Sequence, residues 1–319
     1  MLPLLRGLLV LCLCLACCAC SRQESLPIRL GTNIWLGYEP FYVARATSEW
    51  PASLRLIEYA SAPEVMGAFR RRAIDAAAVT LDEAISLASH DPSLRIGLVL
   101  DESNGADALV ARPGLTGLAD LKGRAIGVES LGVGAYLLGR ALQRAELSVR
   151  DVRIVPTPLD QHENAFASGR VDAVVTFHPV LARLRTRGGV VLFDSRAMPS
   201  EIVDVLVYRE DLPRRRAQAL SELAQAWFAG VDKVRRRDPQ AMAAMARRQN
   251  MTPSMLEDAL GLLQFQDLAQ NRLALGLAHR RLASVFGRLS LSMRELNLID
   301  RPLEPANYLD SRIVEDLPG

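Results

Sequence analysis

The stretch Arg72-Ala-Ile-Asp-Ala-Ala-Ala-Val-Thr80 recurs later in the chain as Arg170-Val-Asp-Ala-Val-Val-Thr176. Each copy follows a helical pattern and consists of small or β-branched apolar residues, which is typical of a buried strand. The repetition predicts two α/β lobes, each with its own helix–Asp–strand unit. Asp75 and Asp172 are expected to bond nearby backbone. Thr80 and Thr176 end their strands, where α/β sheets bind ligands, so both are candidate ligand-binding residues. Capping of the next helix is an equal alternative for Thr80.

The same alternation of short apolar runs and helical patterns extends from Leu26 to Arg209 and predicts largely parallel sheets covered by helices. Strands are predicted over Ile28–Ile34, Leu54–Glu58, Ala76–Thr80 and Arg95–Asp101, and near Ala125–Val128, Val152–Pro156, Ala173–Phe177 and Val190–Phe193. The remainder predicts a helical C-terminal tail. Its helices are expected over Arg214–Asp238, Pro239–Asn250, Pro253–Gly261 and Leu273–Leu289.

All five cysteines lie between Cys12 and Cys20, in an apolar run behind a positively charged N-terminus. This order is that of a signal peptide, and the run is shorter than the ~20 residues of a membrane span. The junction at Cys20 resembles the lipobox of bacterial lipoproteins, in which the cysteine is acylated. Residues 1–20 are therefore predicted to be a lipoprotein signal peptide with acylation at Cys20. Cys17 and Cys18 are alternative sites, and an ordinary cleaved signal peptide is the alternative interpretation.

Composition excludes several classes of function. The absence of cysteine after Cys20 excludes disulfides, thiolate metal sites and a cysteine nucleophile from the exported domain. A net charge of +2 gives no electrostatic reason to bind nucleic acid. The four histidines show no metal-binding spacing, and no hydrolase motif is present. The sequence therefore predicts neither an enzyme nor a cofactor or metal site.

Two loops offer polar or aromatic groups to a ligand. Trp35 and Tyr38 follow the first strand and could form an aromatic wall, with a core tryptophan as the alternative. Ser130 and Gly132 follow a strand and open a helix, where free N–H groups can approach an anionic or polar group. A simple tight turn is the alternative there. His178 follows the second of the repeated strands and is a further candidate.

Acidic residues are frequent near the expected ligand position. They are Glu39, Asp82, Glu129 and Asp107. A nitrate or sulfonate site should instead be lined by cations and N–H donors. Each carboxylate alone is explained as a charge at a helix start. Together they favour a neutral or amine-bearing organic ligand, and Asp82 is the candidate among them.

Several motifs occur in a characteristic order. They are Trp35-Leu-Gly-Tyr38, Asp101-Glu-Ser103-Asn-Gly-Ala-Asp107, Leu118-Ala-Asp-Leu-Lys-Gly123, Gly169-Arg-Val-Asp172 and Asp204-Val-Leu-Val-Tyr-Arg209. In this order they resemble the substrate-binding proteins of bacterial ABC importers, in the nitrate/sulfonate/taurine and thiamine-precursor-binding group. The resemblance covers Ile28 to about Phe286, and Ser103 within it is another candidate ligand-binding residue.

The resemblance implies a type II periplasmic-binding-protein fold, with two α/β lobes joined by two crossover strands near Ala108–Arg112 and Asp204–Arg209. Lobe 1 would comprise residues 27–108 and 209–319, and lobe 2 residues 113–203. The lobes would close on the ligand by a hinge motion.

The implied function is that of a monomeric solute-binding lipoprotein on the periplasmic side of a bacterial membrane, anchored by its N-terminal lipid. It would pass a small organic molecule to the permease of an ABC importer. The alternatives are a ligand-sensing lipoprotein that signals to a membrane-bound signalling protein, and an enzyme on the same scaffold.

Overall fold

The computed structural model describes residues 26–47, 50–129, 132–276 and 281–318. The predicted signal peptide at residues 1–20, with Cys20, lies outside this part of the chain, as does the candidate Ser130. Among the described residues, no helix is both long and apolar enough to cross a membrane.

The strands follow the sequence pattern closely. They are β1 Ile28–Thr32, β2 Leu54–Glu58, β3 Ala76–Thr80, β4 Leu94–Ser103, β5 Asp107–Ala111, β6 Ala125–Val128, β7 Arg153–Pro156, β8 Ala173–Phe177, β9 Val190–Asp194, β10 Val203–Arg209 and β11 Leu263–Phe265. All eight predicted strands are present. The sequence did not predict β11, because three residues are too few to show a strand period.

The helices of the described residues divide between the lobes and the tail. They are α1 Glu39–Thr47, α2 Ala62–Arg70, α3 Leu81–Ala88, α4 Val133–Arg144, α5 His162–Ala167, α6 Val180–Thr186, α7 Leu212–Arg235, α8 Pro239–Arg248, α9 Pro253–Leu260, α10 Leu268–Leu275, α11 Arg281–Glu295 and α12 Arg312–Glu315. The predicted helical tail is confirmed. Its last predicted helix corresponds to two helices, α10 and α11.

The strands form two sheets, one of six strands in the order β11-β4-β10-β3-β1-β2 and one of five in the order β7-β6-β8-β5-β9. Both are mixed, so the prediction of largely parallel sheets needs correction. In the first sheet β10 is antiparallel to β3 and β4, and in the second β5 is antiparallel to β8 and β9. The reason is geometric. Strands β4 and β9 end at the space between the lobes. Strands β5 and β10 begin at that space and run away from it, which makes them antiparallel to the strands beside them.

The chain passes between the sheets at residues 104–106 and returns between Asp194 and Val203. The segments expected as crossovers, near Ala108–Arg112 and Asp204–Arg209, lie almost wholly within one sheet each. The boundaries of the two lobes, with residues 27–108 and 209–319 in lobe 1 and 113–203 in lobe 2, stay a prediction. The connectivity brings the carboxyl ends of β1, β3, β4, β6 and β8 to the space between the sheets.

The two repeated aspartates do equivalent structural work. Asp75 accepts a hydrogen bond from the Arg29 backbone N–H at 2.9 Å, at the start of β1. Asp172 accepts one from the Ala125 N–H at 2.8 Å, at the start of β6. Each carboxylate thus fastens the neighbouring parallel strand to its own helix–strand unit.

The tail helix α7 packs tightly on the first lobe. Trp227 is fully buried and its ring lies 4.8 Å from that of Phe41 in α1. A Cβ at Gly230 would lie 2.0 Å from the Pro40 carbonyl oxygen, so only glycine permits this approach. Removal of a buried tryptophan costs ~3–5 kcal/mol of folding stability. The Trp227 contact therefore contributes strongly to holding the tail against the first lobe.

Candidate ligand-binding site

A cavity of about 310 Å³ lies between the two sheets. Trp35, Tyr38 and Asp204 line it from the first sheet, and Asp107 and Phe177 from the second. A second cavity of about 260 Å³ adjoins it and shares Asp107 and Phe177. The lining therefore combines aromatic rings and carboxyl groups from both lobes.

The aromatic part of the lining is built by the loop after β1. The Asn33 side chain accepts the Trp35 backbone N–H at 2.9 Å and so fixes the turn. The Trp35 ring meets Phe177 of the other sheet edge-on, with centroids 5.3 Å apart. A Cβ at Gly37 would lie 2.2 Å from both Trp35 Nε1 and Asp101 Oδ2. Glycine is therefore required where the indole and this carboxyl meet the backbone.

Tyr38 joins this loop to the returning strand β10. Its hydroxyl donates to Asp204 Oδ1 at 2.5 Å. Asp204 is the cross-strand partner of Thr80 on one side and of Asp101 on the other. Burial, followed by the Asp101 charge, raises the pKa of Asp204 well above its ordinary value. The phenol is thus a proton donor to a carboxyl that is difficult to ionise.

Five buried carboxyl groups surround the cavity, and we call them the cleft acids. They are Glu83, Asp101, Asp107, Glu129 and Asp204. Burial is the main cause of a raised pKa in every one, with neighbouring carboxylates adding to it in each case. The pKa reaches about 8 for Glu83 and about 7 for Asp107 and Glu129. None forms an ion pair with any residue that the structure describes.

Two other buried acids are paired. Glu39, which the sequence placed near the cleft, binds Arg248 of α8 at 2.9 Å and accepts from Gln249 Nε2 at 2.6 Å. Glu102 binds Arg281 at 2.9 Å. Both arginines come from tail helices. The role of Glu39 is therefore accounted for by its contact with the tail.

Glu83 crosses from the first lobe to the second. Its Oε2 accepts the Thr80 backbone N–H at 3.0 Å, while the Thr80 hydroxyl makes no hydrogen bond with a described residue. Gly132 precedes α4 with a φ of 94°, and a Cβ there would lie 2.3 Å from Glu83 Oε1. The Glu83 carboxyl therefore lies against the start of α4, where the sequence predicted ligand N–H donors.

Asp82 and Ser103 are buried but line neither cavity. Burial raises the pKa of Asp82 to about 6, and the backbone amides of Asp82 and Glu83 at the start of α3 oppose this rise. Its carboxyl thus faces its own helix. The Ser103 hydroxyl lies 2.8 Å from that of Ser195 on the return passage between the sheets. A ligand-binding role for either residue stays a prediction.

The candidates on β8 and just after it differ in their surroundings. Thr176 lines the second cavity and its hydroxyl lies 3.1 Å from His162 Nδ1. His178 is only 3% exposed and neither ring nitrogen has a partner among the described residues. Burial lowers the pKa of both histidines to about 4. Both are therefore neutral at physiological pH.

The structure brings Trp35, Tyr38, Thr80 and Thr176 to the two cavities, as the sequence placed them. Sequence reasoning missed Glu83, Asp101 and Asp204 as parts of the site. Glu83 was visible only as the last residue of a helix-capping pattern, and Asp204 only as part of a strand. Within the described residues, no three His, Cys, Asp or Glu side chains are arranged to hold a metal ion.

Two α/β lobes around a cleft, connected by two passages of the chain and followed by helices, define the periplasmic-binding-protein fold. The chain belongs to the NMT1-like family, whose model matches residues 21–249. The resemblance to the nitrate/sulfonate/taurine group that the sequence motifs indicated is confirmed.

Solved structures share this fold over most of their length. The alkanesulfonate-binding protein SsuA from Xanthomonas axonopodis pv. citri, bound to MOPS, has a TM-score of 0.76 and 16% identity, covering 90% of this chain and 99% of that one. A ligand-binding component of an ABC-type import system from Staphylococcus aureus has a TM-score of 0.76 and 13% identity, covering 92% and 99%. The desulfurization enzyme DszB also shares the fold, with a TM-score of 0.66 and 16% identity over 92% and 98%.

One curated relative is similar over a shorter stretch. A protein of Brucella abortus (strain 2308), described as a binding protein, is 32% identical over 80 residues. This match spans 25% of each chain. The family and these neighbours indicate binding of a solute. The fold, which an enzyme shares, does not by itself distinguish binding from catalysis.

Proposed function

We propose that this protein is an extracytoplasmic solute-binding lipoprotein, which captures a small organic molecule between its lobes and delivers it to an ABC importer. The observation that carries this proposal is a buried cleft in which polar atoms from both sheets, Asp107 Oδ2 of the second among them, make no hydrogen bond with a residue that the structure describes. Family membership supports the solute-binding role.

Polar atoms without partners are costly in a protein interior. Trp35 Nε1, Thr80 Oγ1 and Asp204 Oδ2 are all buried and make no hydrogen bond with a described residue, and their three residues line the same cavity. Each such atom costs ~1–3 kcal/mol, and native structures pair most of them. A ligand that bonds these atoms removes the cost, which is a source of binding free energy.

Contacts across the cleft indicate how capture takes place. Trp35 meets Phe177 and Glu83 meets Gly132, in each case from opposite lobes. A molecule of any size can enter only when these contacts separate. Binding by opening and closing at the two chain passages follows, as in hinge motions of other two-lobed proteins.

The N-terminal anchor is the remaining part of the proposal. Pro27 lies close to the start of β1, and its carbonyl accepts from Arg216 Nη1 of α7 at 3.2 Å. A lipid at Cys20 would therefore be connected to the first lobe by a short segment. Such a tether keeps the protein near a membrane permease without blocking the cleft.

The test begins with purified protein. A thermal-shift screen of small sulfonates, amines, pyrimidines and amino acids identifies a stabilising compound, and small-angle scattering measures the radius of gyration with and without it. We expect a smaller radius at saturation, and recovery of unchanged compound excludes turnover. Uptake of that compound should fall in cells that lack the protein. Unchanged uptake would contradict delivery to an importer and favour the sensing role.

Mass spectrometry of detergent-extracted protein tests the anchor separately. Acylation at Cys20 is the expected result. An unmodified mature N-terminus would remove the lipoprotein from the proposal and leave solute binding in place.

A further inference from the structure

We propose that the ligand is a small organic cation, with a protonated amine or amidine nitrogen held between Asp107 of the second sheet and Asp204 of the first. Its apolar or aromatic part would lie against Trp35 and Phe177. This inference rests on the proposed solute-binding function and names its substrate class.

The first observation is the convergence of the cleft acids from both lobes. Asp101 and Asp204 are cross-strand partners on β4 and β10. Asp107 is the first residue of β5, and Glu83 lies in the first turn of α3. Four of the five line the main cavity, which contains no arginine or lysine among the described residues. Carboxyl groups that can ionise against a bound cation are therefore concentrated where a ligand must lie.

The second observation is that the other buried carboxyls of the described residues are paired with arginine, apart from Asp82, which faces the first turn of its own helix. Glu39 and Glu102 each meet an arginine of the tail at 2.9 Å. An unpaired buried carboxylate is unfavourable because its charge is desolvated without compensation. A group of five that lacks any counter-charge is therefore the exception in this fold. A cationic ligand would provide the missing partner.

The third observation concerns the positions that suit an anion. Helix N-termini are the natural anion sites of α/β proteins. The start of α3 is occupied by Glu83, which accepts the Thr80 N–H, and the start of α4 is covered by the same carboxyl at Gly132. A sulfonate or nitrate at either helix would lie beside a carboxyl group. The site is thus unsuited to an anion.

The fourth observation points to a ligand independently of the acids. Trp35 Nε1 and Thr80 Oγ1 line the cavity, are more than nine-tenths buried and have no described partner. They supply a donor and a hydroxyl beside the carboxyls. The Trp35 face can also attract a cation through its ring quadrupole.

The experiment compares probes that share a body and differ in charge. The first set is benzylammonium, benzyl alcohol and phenylmethanesulfonate, and the second is butylammonium, butanol and butanesulfonate. Each is added at millimolar concentration to ligand-free mature protein in the presence of a chelator. We expect the ammonium member of at least one set to raise Tm, and the alcohol and sulfonate of that set to raise it less or not at all.

Variants then locate the charge contact by calorimetric titration of the stabilising ammonium probe. Asp107→Asn and Asp204→Asn should each weaken binding roughly tenfold or more, because a charge-assisted hydrogen bond is lost. Asp75→Asn is the matched control. Asp75 is paired with Arg29 at 2.9 Å and lies outside both cavities, so affinity should stay within about twofold. Using two cleft variants keeps the test valid if one fails to fold.

Four results would overturn the inference: a sulfonate that stabilises more than its ammonium counterpart, an alcohol that does so equally, no stabilisation by either ammonium compound, or cleft variants that bind like wild type. Stabilisation by a divalent cation alone, without chelator, would also overturn it. A sulfonate or alcohol that binds and reduces the radius of gyration would leave the proposed function intact. Failure of every compound class to bind would count against that function itself.

Discussion

Replacement of Asp107 by asparagine should make the ligand-free protein more stable at alkaline pH. Asp107 is 4% exposed and forms no ion pair with a described residue. Burial, with the Asp82 charge adding to it, raises its pKa from 3.8 to about 7. A carboxyl whose folded pKa is raised contributes stability that is fully present below its unfolded pKa. That stability is lost as the pH rises through about 7.

The size of the effect follows from the difference between the two pKa values. A rise from 3.8 to about 7 corresponds to roughly 4 kcal/mol at pH 8, since each pH unit is worth about 1.36 kcal/mol. Asp101 and Asp204 change their own protonation when Asp107 is replaced, because coupled groups share protons. We therefore expect Asp107→Asn to gain ~2 kcal/mol over wild type near pH 8. At about pH 4 and below it should match wild type, because asparagine has almost the shape of a protonated aspartate, and its advantage should grow from there to about pH 7.

Urea unfolding followed by tryptophan fluorescence, from about pH 4 to about pH 8, measures this difference at constant m-value. Asp75→Asn is the control of opposite sign. Burial opposes ionisation of Asp75, yet hydrogen bonds from Arg29 keep its pKa below the ordinary value. Compared with wild type, that variant should therefore be less stable by a constant amount above about pH 5, and the difference should shrink only as the pH falls below about 4. If Asp107→Asn were destabilised equally at both pH values, Asp107 would have to be ionised and paired, and the account of the cleft acids would be wrong.

Three further predictions follow from the same geometry. Gly132→Ala should lower the free energy of unfolding by ~1–3 kcal/mol, because its φ of 94° is unfavourable for alanine. The contact of the new Cβ with Glu83 should enlarge the radius of gyration measured by scattering, and an unchanged radius would contradict this contact. Asp82→Asn should change stability by ~1 kcal/mol or less and leave affinity unchanged, because asparagine also caps helices; a tenfold loss in calorimetric titration would instead place Asp82 at the ligand. Binding of an ammonium probe near pH 7 should release protons, because Asp107, with a pKa of about 7, and Asp204, with a pKa well above its ordinary value, ionise against the cation. Binding enthalpies in buffers of different ionisation enthalpy would detect this release, and equal enthalpies would refute it.

Much of the fold was predictable because its signals are local. The strand β3 is predicted from four apolar residues followed by Thr80, between a turn and a helix start, and the structure confirms its bounds at Ala76–Thr80. The sequence did not show in which direction β5 and β10 run within their sheets. An apolar run has the same pattern whether its neighbours are parallel or antiparallel, and only the point of entry into each sheet decides between the two.

The residues of the site likewise divide into those that the sequence identified and those that it did not. Trp35, Tyr38 and Thr80 were identified because each stands at the end of a strand, and strand ends are visible in the sequence. Asp204 was not identified, although its carboxyl lies 2.5 Å from the hydroxyl of Tyr38, which is 166 residues away in sequence.

The sequence by itself determined which segments become strands and helices, that two α/β units are present, and that acidic residues are common near their strand ends. Only the tertiary structure decided that four of the five cleft acids line one buried cavity, which has no counter-charge among the described residues, while Glu39 and Glu102 are paired with the tail. The physical reason is that neighbours across a sheet depend on strand order and register, which are set by packing of the whole sheet. The pKa of a carboxyl in turn depends on those neighbours and on its burial.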